Sequence, residues 1–190
     1  MKHLKMLGLF VMAAASLMAF AGSASAATFT SPTGTPYTGA ISASLEESAL
    51  LEAGFANITC TSGTVAGKIT TNNETEASGE TTSVSFSNCG SATVDTLNNK
   101  GILTILKGSR AVSGSGVEVT TAVFGTSCVY GLGAGTALGT ATNTTVGGVD
   151  RVTLKINAKL PKISGGFLCA SPATWTAGYN VTSPTPSFVD

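Results

Sequence analysis

Hydrophobic and polar residues alternate along much of this chain with a period of two. The clearest run is Val152, Leu154, Ile156, Ala158 and Leu160, interleaved with Thr153, Lys155, Asn157 and Lys159 and closed by Pro161. Successive side chains of a strand point to opposite faces, so this run predicts a strand with one dry and one wet side. Val84 and Phe86 alternate with Ser83, Ser85 and Ser87 in the same way and lead into Cys89. Apolar and β-branched stretches predict further strands over 37–44, 56–61, 64–70, 92–97, 102–107, 117–124, 127–130 and 175–182. Clusters of Gly, Asn and Ser at 71–73, 98–101, 113–116 and 147–148 predict tight turns between them. About ten short strands joined by such turns predict an all-β fold, a single-domain antiparallel β-sandwich or open barrel.

One stretch departs from the pattern. Residues 44–54 carry helix formers, early acidic residues and a glycine stop at Gly54. They suit either one short helix or an irregular strand and turn, since so short a helix is marginal by itself. Gly131, Gly133 and Gly135 resemble a dinucleotide-binding loop but do not join a strand to a helix, so they predict a flexible hairpin connection.

The N-terminus reads as a secretory signal. Lys2, His3 and Lys5 give a basic start, an apolar run follows over 7–20, and Ala24-Ser25-Ala26 supplies a small-residue cleavage site. The run is too short to span a bilayer, so the reading is residues 1–26 as signal peptide and 27–190 as an exported β domain, periplasmic, extracellular or at the cell surface. Its cysteines, Cys60, Cys89, Cys128 and Cys169, are even in number and lack C-x-x-C spacing, which predicts two disulfides. Three pairings are possible; Cys60 with Cys89 and Cys128 with Cys169 is the favoured one.

Removal of the leader also removes His3 and every methionine. Histidine is the usual general base and the commonest metal ligand, so most hydrolase triads and transition-metal sites are excluded. Eight Lys or Arg against ten Asp or Glu over 27–190 leave a net charge of about −2, with no basic field for nucleic acid and no polybasic stripe for anionic lipid. The groups Glu46, Glu47, Glu52 and Glu74, Glu76, Glu80 offer carboxylates without an evident aromatic sugar cleft, and read as solvated loops. Asp95, Asp150 and Asp190 stand alone, without calcium-loop spacing. No S-x-x-K motif precedes a helix, and the N-x-S/T sequons at Asn57, Asn73, Asn143 and Asn180 are expected by chance in a threonine-rich chain. No cofactor and no catalysis are expected.

The segments Thr30–Gly39, Ile58-Thr59-Cys60, Val84–Cys89, Phe167–Ala170, Trp175–Tyr179 and Val181–Pro186 resemble a group of largely uncharacterised exported bacterial proteins. More distantly, the leader, the early Ser-Pro element and the Ile-Thr-Cys strand are similar to PraB-type proteins, described as activators of alkane oxidation. That resemblance implies a secreted, non-enzymatic protein and carries over no catalytic residue. Three roles follow as expectations. One is a cell-surface, matrix or interaction component that contacts a surface partner or its own copies; a variant has residues 27–44 donate a strand to a neighbour in a surface fibre. Another is a module binding an apolar small molecule related to alkanes or fatty acids, with Phe29, Phe55, Phe124, Phe167 and Trp175 as pocket candidates. An enzyme ranks last.

Overall fold

The computed structural model describes residues 28–190 apart from Thr33, Phe55 and Asn99; the leader expected at 1–26 lies outside the described residues. Strands account for all regular structure there. They run β1 (Phe29–Thr30), β2 (Gly39–Leu45), β3 (Ala49–Gly54), β4 (Asn57–Cys60), β5 (Ser62–Asn72) and β6 (Glu76–Ser87). Next come β7 (Thr93–Asn98), β8 (Ile102–Leu106), β9 (Ala111–Ser115), β10 (Glu118–Val123) and β11 (Thr126–Gly131). The chain ends with β12 (Thr136–Val146), β13 (Val149–Leu160), β14 (Lys162–Gly165), β15 (Cys169–Ser183) and β16 (Phe188–Val189).

Eight of these close into an antiparallel barrel in the order β13-β12-β9-β8-β6-β5-β2-β15, with β15 returning to β13. The expectation of an open barrel or sandwich is thus sharpened to a closed one, and the length of β15 is the reason. One flank of β15 pairs with β13 from Ala173 to Asn180, while the other changes partner from β3 to β2. The β3–β4 hairpin therefore extends the barrel wall past its rim. The alternation in β13 has its expected effect: Val152, Ile156, Ala158 and Leu160 are buried, and Lys155, Asn157 and Lys159 face water. Thr153 is the exception, buried because its hydroxyl donates to Asn180 Oδ1 at 2.6 Å on the neighbouring strand. An interior of apolar side chains and an exterior of Lys, Ser and Thr is the reverse of a membrane-spanning barrel.

The two ends of the barrel are covered differently. β1 and β16 pair across one end, Phe29 opposite Val189, and both residues are wholly buried. Asn72 holds this plug: its Oδ1 accepts the amides of Thr28 and Phe29, and its Nδ2 donates to the carbonyls of Phe29 and Tyr37. Asn143 does the same for Val189. The N-terminal segment thus pairs within its own chain. Over the other end lies a four-stranded sheet, β14-β11-β10-β7. Cys128 of β11 is bonded to Cys169 at the start of β15, and Cys60 of β4 to Cys89 just beyond β6.

Four local expectations change. Residues 44–54 form the end of β2 and all of β3, not a helix, because Ala49, Leu51 and Ala53 are buried in alternation and β4 and β15 take up the backbone hydrogen bonds. The turn placed at 71–73 begins at Asn73, whose Oδ1 accepts the amides of Thr75 and Glu76, while Asn72 stays in β5. Residues 113–115 are strand: a Cβ on Gly114 would lie 2.8 Å from Leu138, so glycine is there for close packing rather than for a turn. The 131–135 connection is no hairpin, since it crosses from β11 in the small sheet to β12 in the barrel. Strands β1, β3, β9, β12, β14 and β16 go beyond the ten or so expected.

Candidate functional site

Alternate residues of β15 point into the barrel: Trp175, Ala177, Tyr179 and Val181 succeed one another along its axis. Around Trp175, where the small sheet meets the barrel mouth, lies a cavity of about 90 Å³. Leu51 and Ile58 of the β3–β4 hairpin, Phe86, Leu138 and Tyr130 complete most of its wall. Trp175 stands edge-on to Phe86 at 6.4 Å between ring centroids and to Tyr179 at 6.3 Å, the geometry that ring quadrupoles favour. Around Val181 lies a second cavity of about 80 Å³, walled by Ile41, Ile69, Ile105 and Val112 among others. Val65, Thr81 and Leu103 line both, so the two voids adjoin along the barrel axis.

The polar atoms near these voids are turned to other work. The Thr81 hydroxyl donates to the carbonyl of Gly101 at 3.1 Å and accepts its amide at 2.8 Å. Tyr130, fully buried, donates to the carbonyl of Ala53 at 3.4 Å. Burial pushes its phenol above the ordinary value, and a hydrogen bond from the backbone of Ala170 partly offsets this. Tyr179 is 2 % exposed and its hydroxyl has no hydrogen-bond partner among the described residues. Burial alone raises its phenol far above the usual range, so it stays neutral. The larger cavity, lined by no charged residue, can accordingly offer dispersion and desolvation to a guest but no charge; Lys68 and Glu80 border the second, and both are exposed.

Of the five aromatic pocket candidates, Trp175 lines the larger cavity. Phe29 sits in the plug at the opposite end, and Phe55 lies outside the described residues. Phe124 and Phe167 point outward, 87 % and 94 % exposed, which corrects their expected place in a pocket. Both flank glycines in turns, where the chain leaves the sheet before it can face the core. Leu51, Ile58, Tyr130 and Leu138 were not anticipated; the two-residue alternation of β3, β4 and β11 is the signal for the first three, whereas β12, whose buried Leu138 and Ala141 stand three apart, carries none. The acidic residues are dispersed: Glu46, Glu47, Glu52, Glu74, Glu80, Asp95, Asp150 and Asp190 are all exposed. Among the described residues no three His, Cys, Asp or Glu gather as metal ligands.

Comparison with family models, with curated proteins and with solved structures finds no match. Two disulfides point to an oxidising environment. No described helix is long and apolar enough to cross a membrane.

Proposed function

We propose that this chain is an exported, non-catalytic β protein that holds a small apolar molecule, an alkyl chain or an aromatic hydrocarbon, in the cavity beneath its four-stranded sheet. The observation that carries the reading is the void itself. Protein interiors are packed like organic crystals, and an unfilled cavity costs about 24 cal/mol per Å³. The 90 Å³ beside Trp175 therefore weighs roughly 2 kcal/mol against the fold, which an apolar guest would recover. An apolar cavity of about 150 Å³ stays dry and takes up benzene; the two adjoining voids here total about 170 Å³. Their end-to-end arrangement suits an elongated guest, in keeping with the resemblance to PraB-type proteins.

Trp175 is the chain's single tryptophan, so its fluorescence reports on the site alone. Titration with alkanes and fatty acids of increasing length should give a saturable spectral shift. A spectrum unchanged at saturating ligand refutes the reading. A second reading, a surface or matrix component, is favoured by the hydroxyl-rich outer wall, where Thr64 and Ser85 are joined across β5 and β6 at 2.8 Å. Concentration-dependent assembly in ultracentrifugation would support it.

A further inference from the structure

We propose that Phe124, Phe167 and Leu168 form an apolar tip that inserts into the interfacial region of a lipid bilayer. Four of the eight exposed large hydrophobic residues, Phe124, Ile163, Phe167 and Leu168, belong to the β10–β11 turn and the β14–β15 segment. Strand register brings Phe124 and the Phe167–Leu168 turn together, while Ile163 lies farther back along β14, near Gly131. The β10–β11 hairpin ends at the pair Val123–Thr126, and β14 runs antiparallel to β11 with Gly165 opposite Cys128. The exit of β14 thus travels toward Thr126, and Phe167 emerges at the same end of the sheet as Phe124.

Nothing in folding explains Phe124. It and Gly125 both have positive φ, 50° and 76°, and they form the two-residue turn that favours Asn-Gly. A bulky side chain in the left-handed region is strained, and this one gains no burial in return. Strain held without a packing reason is a mark of function. Phe167 is presented as firmly. The Cys169 amide donates to the carbonyl of Gly166 at 3.2 Å, the Lys162 ammonium reaches the carbonyls of Gly166 and Cys169, and Cys169 is tied to Cys128.

The chemistry of the surroundings selects lipid over protein. Segments 89–93, 122–128 and 163–171 contain no charged residue, and the Lys162 ammonium that reaches the last of them is turned to the carbonyls of Gly166 and Cys169. Two phenylalanines and a leucine can bury a few hundred Å² at most, against about 800 Å² per partner in a stable protein interface. Convex aromatic tips without charge suit the headgroup boundary, where apolar burial alone gives reversible attachment. The remaining barrel wall stays in water.

The test is co-sedimentation of the exported protein, disulfides intact, with vesicles of phosphatidylcholine alone and with phosphatidylglycerol added. Binding to both, equal within error and insensitive to salt, is expected. Phe124→Asn and Phe167→Ser should each weaken partitioning roughly tenfold, with thermal melting of both variants showing that the fold survives. Absence of binding, binding only to the anionic vesicles, or full binding by the double variant would overturn the proposal. So would a wild-type dimer in ultracentrifugation that the two substitutions abolish. The outcome is independent of the cavity, because neither phenylalanine lines it.

Discussion

Tyr179→Phe should stabilise this protein, contrary to the usual outcome of a core substitution. Tyr179 is 2 % exposed and its buried hydroxyl has no partner among the described residues, and a buried hydroxyl without a hydrogen bond costs about 1–3 kcal/mol. Phenylalanine keeps the ring and its edge contact with Trp175. It forfeits only the dispersion contacts of one oxygen, worth under about 1 kcal/mol. A net gain of about 1 kcal/mol follows, visible in urea unfolding at pH 7. Alkaline pH provides a second readout. Burial raises the folded phenol above the unfolded value of about 10, so the stabilising difference is whole below pH 10 and is lost as pH rises further, where the unfolded chain ionises first. The variant should show a shallower loss of stability above pH 10, Tyr130 retaining its own smaller contribution. A variant less stable at pH 7, with an unchanged alkaline slope, would refute the reasoning and place a bonded partner on that hydroxyl.

Three further perturbations probe the frame. The two disulfides span 29 and 41 residues, for which loop closure predicts about 3–4 kcal/mol each; the sum is near a typical domain's whole stability, so reduction should unfold the protein, and an unshifted urea midpoint would contradict this. Gly139→Ala drives a Cβ into the carbonyl oxygen of Lys155 at a φ of +153°, and should destabilise by more than about 3 kcal/mol in the same assay. Phe124→Asn relieves the left-handed turn and should raise stability by roughly 0.5–1 kcal/mol while weakening vesicle binding roughly tenfold. A melting temperature lowered by that change would show that Phe124 packs in solution.

Strands whose two faces differ sharply in polarity were legible in the sequence. β13 and the second half of β6 announce themselves because Lys, Asn or Ser alternates with large apolar residues. β9 and β12 do not, since Ala, Gly and Thr suit either face and carry little contrast. In β3 the helix formers Leu50, Leu51, Glu52 and Ala53 obscured a two-residue period that became decisive only when β4 and β15 supplied hydrogen bonds from elsewhere in the chain. Barrel closure is likewise nonlocal, resting on the exchange of partners along β15. The candidate site was legible through Trp175 alone, because a cavity is a property of how walls meet and no residue type encodes it. The misplaced Phe124 and Phe167 carried a readable sign: each adjoins a glycine, and Phe124-Gly125 has the form of a hairpin dipeptide.

The central claim, that the interior voids receive an apolar guest, is tested most directly by crystals of the protein grown with a bromine-terminated alkane. An anomalous bromine peak within the walls formed by Trp175, Phe86, Tyr130 and Leu138 is the predicted result. Bromine confined to the outer surface, with the cavity filled by repacked side chains, would contradict the account.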